Sequence, residues 1–383
     1  MPWYKETMVP AHKAHGDAAL RRCSACREAI SPQRIRAATS RPHSLWRLLR
    51  VGLLAVTMLV SACQTKSARR SVVVYTSVDQ VYSEPILRKF EQETGIRALP
   101  VYDVEATKTT GLVNRLIAEK ARPQADVFWS GEFAQTMLLQ QEGVLAAYRS
   151  PSAKDIPAPY KDAQGYWSGL AGRARVLLVN TDLLTPAEYP QSIADMLDPA
   201  YPADQIGMAY PLFGTAATHA AALYAALGPE EGKALFQQLR DRGIRIVDGN
   251  SVVRDWVASG QLSWGLADTD DACSAMQRGA PVKMIFPDQG ESGLGTLIIP
   301  NTVALIAQAP HPQEAKLLID FLLSKEVEAD LIAAGWSHIP LRPVTLRPGC
   351  VENPSVKAMD VSLSDIFGQL LPAKTELAEI FIR

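Results

Sequence analysis

The four-residue stretch 268–271 holds three aspartates and a threonine. The apolar run 262–266 before it predicts a β-strand, and a helical pattern begins near Cys273. Ligands of α/β proteins bind in the crevice at the carboxyl ends of strands, and crowded carboxylates attract a cation, a hydrogen-bond donor or water. Two interpretations are open: a site for a ligand, and an exposed acidic turn that caps the next helix.

The chain before this acidic stretch alternates strand and helix patterns. Short apolar, β-branched runs at 71–76, 96–102 and 125–129 predict three strands, and each is followed by a helical pattern. Strand–helix units in close succession predict a parallel sheet with helices on both faces. The sequence therefore predicts an α/β protein.

Small hydroxylated or acidic residues follow each of these predicted strands and open a helix. Ser77, Thr107 and Glu132 are the examples. Helix N-termini present free N–H groups and a partial positive charge, so several of them at one crevice suit an anionic group. The alternative is that each residue only caps its own helix.

A second series of strands and helices begins with a long strand pattern at 169–180. Arg173 and Arg175 lie two residues apart and therefore on one face of that strand. One of them contacts a ligand anion, or they form ion pairs within the protein. Further along, turns that contain Thr215 and Asn250 open two more predicted helices.

The N-terminal region has the pattern of an export signal. Residues 1–50 carry ten Lys/Arg and three acids, and residues 51–60 carry no charge. A basic region, a short apolar run and small residues before a cleavage point indicate a signal peptide over 1–62. Cys63 follows as in a bacterial lipobox, which predicts a lipidated first residue, a tether over 63–70 and a location on the periplasmic or cell-surface side, anchored to a bacterial membrane. In the alternative, the signal is cleaved in the ordinary way and Cys63 has no special role.

Composition after the signal excludes some classes of function. Residues 51–383 retain 29 Lys/Arg and 37 Asp/Glu, so a basic surface for nucleic acid is not expected. About 320 mature residues exceed one typical core and suggest two lobes. Cys273 and Cys350 are free to form one disulfide in an oxidising compartment, but spacing alone does not decide whether they meet.

Six runs of the sequence resemble one protein family. They are VVYTSVDQVYSEPILRKFEQETGI (73–96), EATKTTGLVNRLIAEK (105–120), ADVFWSGE (125–132), GRARVLLVNTD (172–182), GNSVV (249–253) and GTLIIPNTVALI (295–306). Together they resemble the periplasmic ferric-ion-binding proteins, within the family 1 extracellular solute-binding proteins of ABC importers. The resemblance implies a two-lobed periplasmic binding protein fold of type II, with the ligand in the cleft between the lobes. It also implies a membrane permease and an ATPase as docking partners.

The resemblance also implies how the chain divides. The first α/β lobe comprises 71–170 and 296–345, and the second comprises 171–295 and 346–383. Two crossing segments, near Leu170 and near Leu297, then act as the hinge on which the lobes close.

The resemblance assigns roles to several residues. In ferric-binding relatives, a pair of adjacent tyrosines holds the iron, usually with a Glu, sometimes a His, and a small anion. The Glu position matches Glu132, and the anion positions match the turns at Thr215 and Asn250. The tyrosine pair falls on Asp270 and Asp271, and the chain has no adjacent tyrosines. Carboxylates are also hard oxygen donors, which keeps Glu132, Asp270 and Asp271 as expected metal ligands.

Three classes of ligand remain open for this cleft. One is ferric iron or another hard cation on the carboxylates. The second is an organic cation, such as a polyamine, on the same carboxylates. The third is an amino- or sugar-phosphonate or phosphate, with its anion on the hydroxylated turns. The candidate ligand-binding residues are Ser77, Thr107, Glu132, Thr215, Asn250, Asp268, Thr269, Asp270 and Asp271.

Enzymatic function is not indicated by the sequence. The chain has no Walker A motif, no GxSxG elbow and no HExxH. The histidines after the signal, His219, His311 and His338, lie far apart, without the spacing of a metal site. We expect a monomeric solute receptor of an ABC importer that holds no cofactor. A sensory lipoprotein is the alternative.

Overall fold

The computed structural model describes residues 70–102, 110–345, 350–351 and 356–382. The predicted signal peptide, Cys63 and Thr107 lie outside these residues, so the expectations about them stay predictions. Among the described helices, none combines the length and the apolar character that a membrane span requires.

Ten strands and ten α-helices form the described part of the chain. Strands β1 to β10 are Ser71–Thr76, Arg97–Tyr102, Val127–Ser130, Leu145–Ala146, Trp167–Asn180, Ile206–Ala209, Arg245–Val247, Trp264–Asp268, Val282–Ile285 and Ile298–Ile306. Helices α1 to α10 are Gln80–Thr94, Thr110–Ala118, Ala134–Gln141, Gly214–Leu227, Pro229–Arg242, Asn250–Ala258, Thr269–Gln277, Pro312–Leu322, Lys325–Ala334 and Leu363–Phe381.

The strands follow the order β2-β1-β3-β10-β5-β8-β6-β7, with β4 on β10 and β9 on β5. β1 pairs in parallel with β2 and β3, and β6 pairs in parallel with β7 and β8. The predicted parallel α/β arrangement is therefore confirmed for two separate strand groups. β5 and β10 run antiparallel to each other and connect the two groups. Parallel strands end at a common edge, so each group collects the residues that follow its strands.

Local sequence explains why the first helix ends where it does. Gly95 follows α1 with φ 69°, and its N–H bonds the carbonyl of Glu91. This left-handed conformation costs glycine little because glycine has no Cβ. The helix therefore ends at Thr94.

The β5–β10 crossing contains a strained residue near the predicted hinge. The ladder shifts register between Pro300 and Asn301, and Ala171 on β5 has φ 40°, a conformation costly for a residue with a Cβ. The side-chain amide of Asn301 donates to the carbonyl of Ala171 over 2.9 Å and to Ser337 Oγ over 2.8 Å. These contacts hold the crossing in one conformation here, and hinge motion stays a prediction.

The structure corrects the expected start of helix α7 and decides whether Cys273 pairs with Cys350. Helix α7 begins at Thr269 and not near Cys273, so Asp270 and Asp271 lie in its first turn. The start near Cys273 was wrong because the acidic turn is itself helical, as Asp favours first-turn positions. Cys273 and Cys350, whose pairing the sequence left open, form a disulfide with a Cα–Cα distance of 5.7 Å.

Candidate ligand-binding cleft

A cavity of about 430 Å³ is lined from both parallel strand groups, and we call it the cleft. Ser77 and Glu132 line it from the β1–β3 group. From the other group the lining candidates are Thr215, Asn250, Asp268, Asp270 and Asp271. The structure thus brings together seven of the residues that the sequence singled out from distant positions.

Asp268, the last residue of β8, lies opposite Arg175 of β5 in the antiparallel ladder. Arg175 Nη1 is 2.6 Å from Asp268 Oδ1, and the two side chains are 1% and 2% exposed. The hydroxyl of Thr215 donates to Asp268 Oδ2 over 2.6 Å, and the amide of Asn250 donates to the same oxygen over 3.1 Å. Both oxygens of this carboxylate are therefore satisfied inside the protein.

The charges around Asp268 also set its ionisation. Burial alone would raise its pKa, but Arg175 and Arg173, together with the Thr215 hydroxyl, lower the pKa below the ordinary value. Asp268 is therefore an ionised, buried partner of Arg175. This arrangement suits a structural role at the floor of the cleft.

Arg173 lies on the same strand face as Arg175 but reaches the cleft. Its Nη1 is 3.3 Å from Asp270 Oδ2 and 3.6 Å from Asp268 Oδ2. Its Nη2 donates to the carbonyl of Gly131 over 3.0 Å, and its guanidinium lies 5.0 Å from the ring centroid of Trp336, a cation–π distance. Among the described residues, Arg173 Nε and Asp270 Oδ1 are buried without a hydrogen-bond partner.

The carboxyl groups of Asp271 and Asp270 are harder to ionise than usual, because their pKa values are raised. Burial, and then the charges of Asp270 and Asp268, raise the pKa of Asp271 to about 8, although Arg254 opposes the rise from 3.2 Å. Burial likewise raises the pKa of Asp270 against the opposing charge of Arg173. Asp271 therefore holds a proton at neutral pH that a cationic group would displace.

This proton gives the stability of the protein a testable pH dependence. Between its ordinary value of 3.8 and about 8, Asp271 is ionised in the unfolded chain and protonated in the folded one. The folded state then binds more protons, so its stability falls as pH rises through this window and levels off above it. In Asp271→Asn we expect the loss of melting temperature between about pH 5 and pH 8 to be smaller than in the wild type.

Thermal melts across pH would measure this difference, with Asp241→Asn as an exposed control carboxylate. One pKa unit corresponds to about 1.4 kcal/mol, and the pKa of Asp271 rises by more than one unit. At pH 8 the free energy of unfolding of Asp271→Asn should therefore exceed that of the wild type by more than about 1.4 kcal/mol. Equal pH slopes for Asp271→Asn and the wild type would contradict the raised pKa.

Glu132 and Thr269 use their oxygens within the fold. Glu132 Oε2 and Oε1 accept the backbone N–H groups of Ala134 and Gln135 over 2.8 and 2.9 Å, so Glu132 caps α3 at the cleft wall. Burial raises the pKa of Glu132 against these two hydrogen bonds. The buried hydroxyl of Thr269 accepts from the N–H of Ala174 over 3.2 Å and does not contribute to the cleft lining, contrary to our expectation.

Two helix N-termini are open toward the cleft. α4 follows Phe213 and α6 follows Gly249, and neither residue has a side-chain acceptor that caps a helix. Thr215 and Asn250, which line the cleft, lie in the first turns of these helices. First-turn N–H groups and the helix dipole favour a bound anion.

Sequence reasoning missed Arg254 and Trp336, which also line the cleft. Arg254 falls in the amphipathic pattern of α6, where an arginine is usual on a solvated face. Trp336 follows α9, a helix that the sequence patterns did not predict. Neither residue carried a local signal that separates a ligand contact from a surface or core residue.

Fold and cleft together are those of a solute-binding protein, and comparison with known proteins agrees. The chain belongs to the bacterial extracellular solute-binding protein family, whose pattern matches residues 122–359. The resemblance inferred from the sequence is confirmed, and the protein is an α/β, two-lobed extracellular solute-binding protein.

Three relatives illustrate the range of this family. A Salmonella typhimurium periplasmic protein named for 2-aminoethylphosphonate binding is 27% identical over 304 residues, covering 77% of this chain and 86% of the relative. A Sinorhizobium fredii periplasmic-binding protein named for an ABC transporter is 29% identical over 252 residues, covering 61% and 65%. The ferric binding protein from Campylobacter jejuni superposes with a TM-score of 0.73 at 21% identity, covering 81% of this chain and 99% of that one.

Proposed function

We propose that this protein is the receptor of an ABC importer for a zwitterionic solute, with an aminoalkyl phosphonate as the ligand class. The observation that carries the proposal is a pair of unsatisfied groups on two residues that line the cleft. Arg173 Nε–H is a buried donor without a partner among the described residues, and Asp270 Oδ1 is a buried acceptor without one. A ligand with an acidic group and an ammonium group satisfies both at once.

The two ion pairs at the cleft wall support exchange with such a ligand. Arg173–Asp270 and Arg254–Asp271 are 3.3 and 3.2 Å long, longer than the 2.6 Å pair at the floor and than typical charge-assisted bonds. A phosphonate would bind the arginines and the open N-termini of α4 and α6. The ammonium group would bind Asp270 and Asp271 and displace the proton from Asp271. The Salmonella relative named for 2-aminoethylphosphonate binding supports this ligand class.

Thermal-shift and calorimetric titrations with the metal-free protein test the proposal. We expect 2-aminoethylphosphonate at 100 times its dissociation constant to stabilise the protein by about 2.7 kcal/mol. Ethylphosphonate lacks the ammonium group and ethylamine lacks the anion, so neither should produce a comparable shift. Equal binding of either half-ligand would contradict recognition of a zwitterion.

Ferric iron is a second candidate that one observation favours. Asp268, Asp270 and Asp271 each offer an oxygen, and these atoms lie within 4.8 Å of one another. Carboxylate oxygens suit a hard cation. However, the positively charged Arg173 lies within 3.6 Å of two of these carboxylates and would repel a metal cation there. A thermal shift with ferric citrate that chelation reverses, without a shift by 2-aminoethylphosphonate, would favour iron.

The remaining parts of the proposal concern partners and location. We infer a permease and an ATPase as docking partners, since the Sinorhizobium relative is named for an ABC transporter. We also infer a monomeric, non-enzymatic receptor outside the cytoplasmic membrane, anchored through a lipid on Cys63. Lobes over 71–170 with 296–345 and over 171–295 with 346–383 remain part of this proposal. Labelling with a radioactive fatty acid, lost in Cys63→Ala, would test the anchor.

A further inference from the structure

A second cluster of metal-ligating groups lies outside the cleft lining. Cys273, His338 and Cys350 each offer one ligand atom, and these atoms lie within 4.8 Å of one another. Cys273 is on α7 and is buried. The backbone N–H of His338 bonds the carbonyl of Gly172 on β5 over 2.9 Å, which holds the backbone of His338 beside β5.

The imidazole of His338 has no partner that explains its burial. The residue is 5% exposed, and among the described residues neither Nδ1 nor Nε2 has a hydrogen-bond partner. Buried polar atoms are nearly always paired, and an exception calls for a bound group or a chemical role. The ligating groups within 4.8 Å of the imidazole include the two sulfurs of the Cys273–Cys350 disulfide.

We propose that reduction of the Cys273–Cys350 disulfide turns this cluster into a binding site for a thiophilic cation, with zinc as the representative. Two thiolates and one imidazole are a donor set typical of zinc and of soft metals. A disulfide sulfur lacks the negative charge of a thiolate, which is the form that ligates metals. The two redox states therefore differ in whether they bind the cation.

The chemical balance of the switch is simple. A dithiol reductant transfers two electrons and two protons to the Cys273–Cys350 bond, which breaks into two thiols, and the reductant becomes a disulfide. Binding of a divalent cation then releases the two thiol protons to water. Oxidation by a disulfide compound reverses the first step and expels the cation.

Cobalt(II) titration tests the proposal, because thiolate-bound cobalt has a charge-transfer absorption that carboxylate-bound cobalt lacks. The protein would be reduced with dithiothreitol and freed of reductant without oxygen. We expect one cobalt per chain with thiolate absorption in the reduced protein, zinc displacing it, and none in the oxidised protein. Absence of this absorption in the reduced protein would overturn the proposal.

Two variants separate this site from the cleft. His338→Gln keeps both thiols and should weaken cobalt binding at least about tenfold, by the loss of one ligand. Asp271→Asn removes a cleft carboxylate and should leave the thiolate absorption unchanged. Wild-type affinity in His338→Gln would remove the histidine from the site. Loss of thiolate absorption in Asp271→Asn would show that the site depends on the acidic turn and is not formed by the Cys–His cluster alone, and would overturn the proposal.

Discussion

Replacing Arg173 with methionine and Asp270 with asparagine together should strongly weaken binding of 2-aminoethylphosphonate while the protein stays folded. Arg173 is 11% exposed and Asp270 22% exposed, so the ligand would meet both in a largely water-excluded site. Truncating one partner of a buried, hydrogen-bonded charge pair costs about 2–5 kcal/mol in binding. At 1.4 kcal/mol for each factor of ten, affinity should fall at least about 30-fold.

The double substitution is chosen to keep the fold. Arg173→Met alone leaves Asp270 buried without its cation, and such a group destabilises a protein strongly. Asp270→Asn removes that charge, and methionine keeps most of the volume beside Trp336. Changing both partners therefore tests recognition without leaving an isolated charge.

Isothermal titration calorimetry with 2-aminoethylphosphonate measures the effect, and thermal melts check folding. Arg278→Met is the matched control, because Arg278 follows α7, is 53% exposed and pairs with Asp255. This control should bind as the wild type does. Wild-type affinity in the Arg173→Met, Asp270→Asn protein would exclude the cleft, as described, from ligand recognition.

Strand ends are the part of the site that the sequence predicts well. β1, β3 and β8 are short apolar runs whose pattern marks where each strand stops, so Ser77, Glu132 and Asp268 were found without knowledge of the fold. Parallel pairing then forces such residues to one edge. These residues converge in the cleft because of the sheet topology. The local sequence pattern reveals them because it marks where each strand ends.

Partners of these residues are the part that the sequence does not predict. Alternation along β5 predicts that Arg173 and Arg175 lie on one face. It does not predict which strand lies opposite them. Asp268 is 93 residues beyond Arg175, and only the β5–β8 register makes them neighbours. For this reason Asp268, which we expected to contact the ligand, instead pairs with Arg175 inside the protein. His338 and Cys273 meet through the same kind of long-range contact.

Asp268→Ala should unfold the protein at much lower denaturant than any surface substitution. The change leaves Arg175, which is 1% exposed, as a buried cation without a counter-ion. Breaking a buried ion pair on one side costs about 3–5 kcal/mol. The hydroxyl of Thr215 and the amide of Asn250 also lose their acceptor, which adds to the loss.

A second substitution should reverse most of this loss, because the cost comes from an isolated charge and not from the missing attraction. Replacing a buried ion pair by apolar residues of similar volume is often neutral or stabilising, so Asp268→Leu with Arg175→Met should recover most of the stability. Urea unfolding measures each variant. Asp330→Ala breaks a pair whose side chains are 37% and 40% exposed and should cost at most about 1 kcal/mol. If Asp268→Ala cost no more than Asp330→Ala, Asp268 would not anchor the floor of the cleft, and its carboxylate would be free for a ligand.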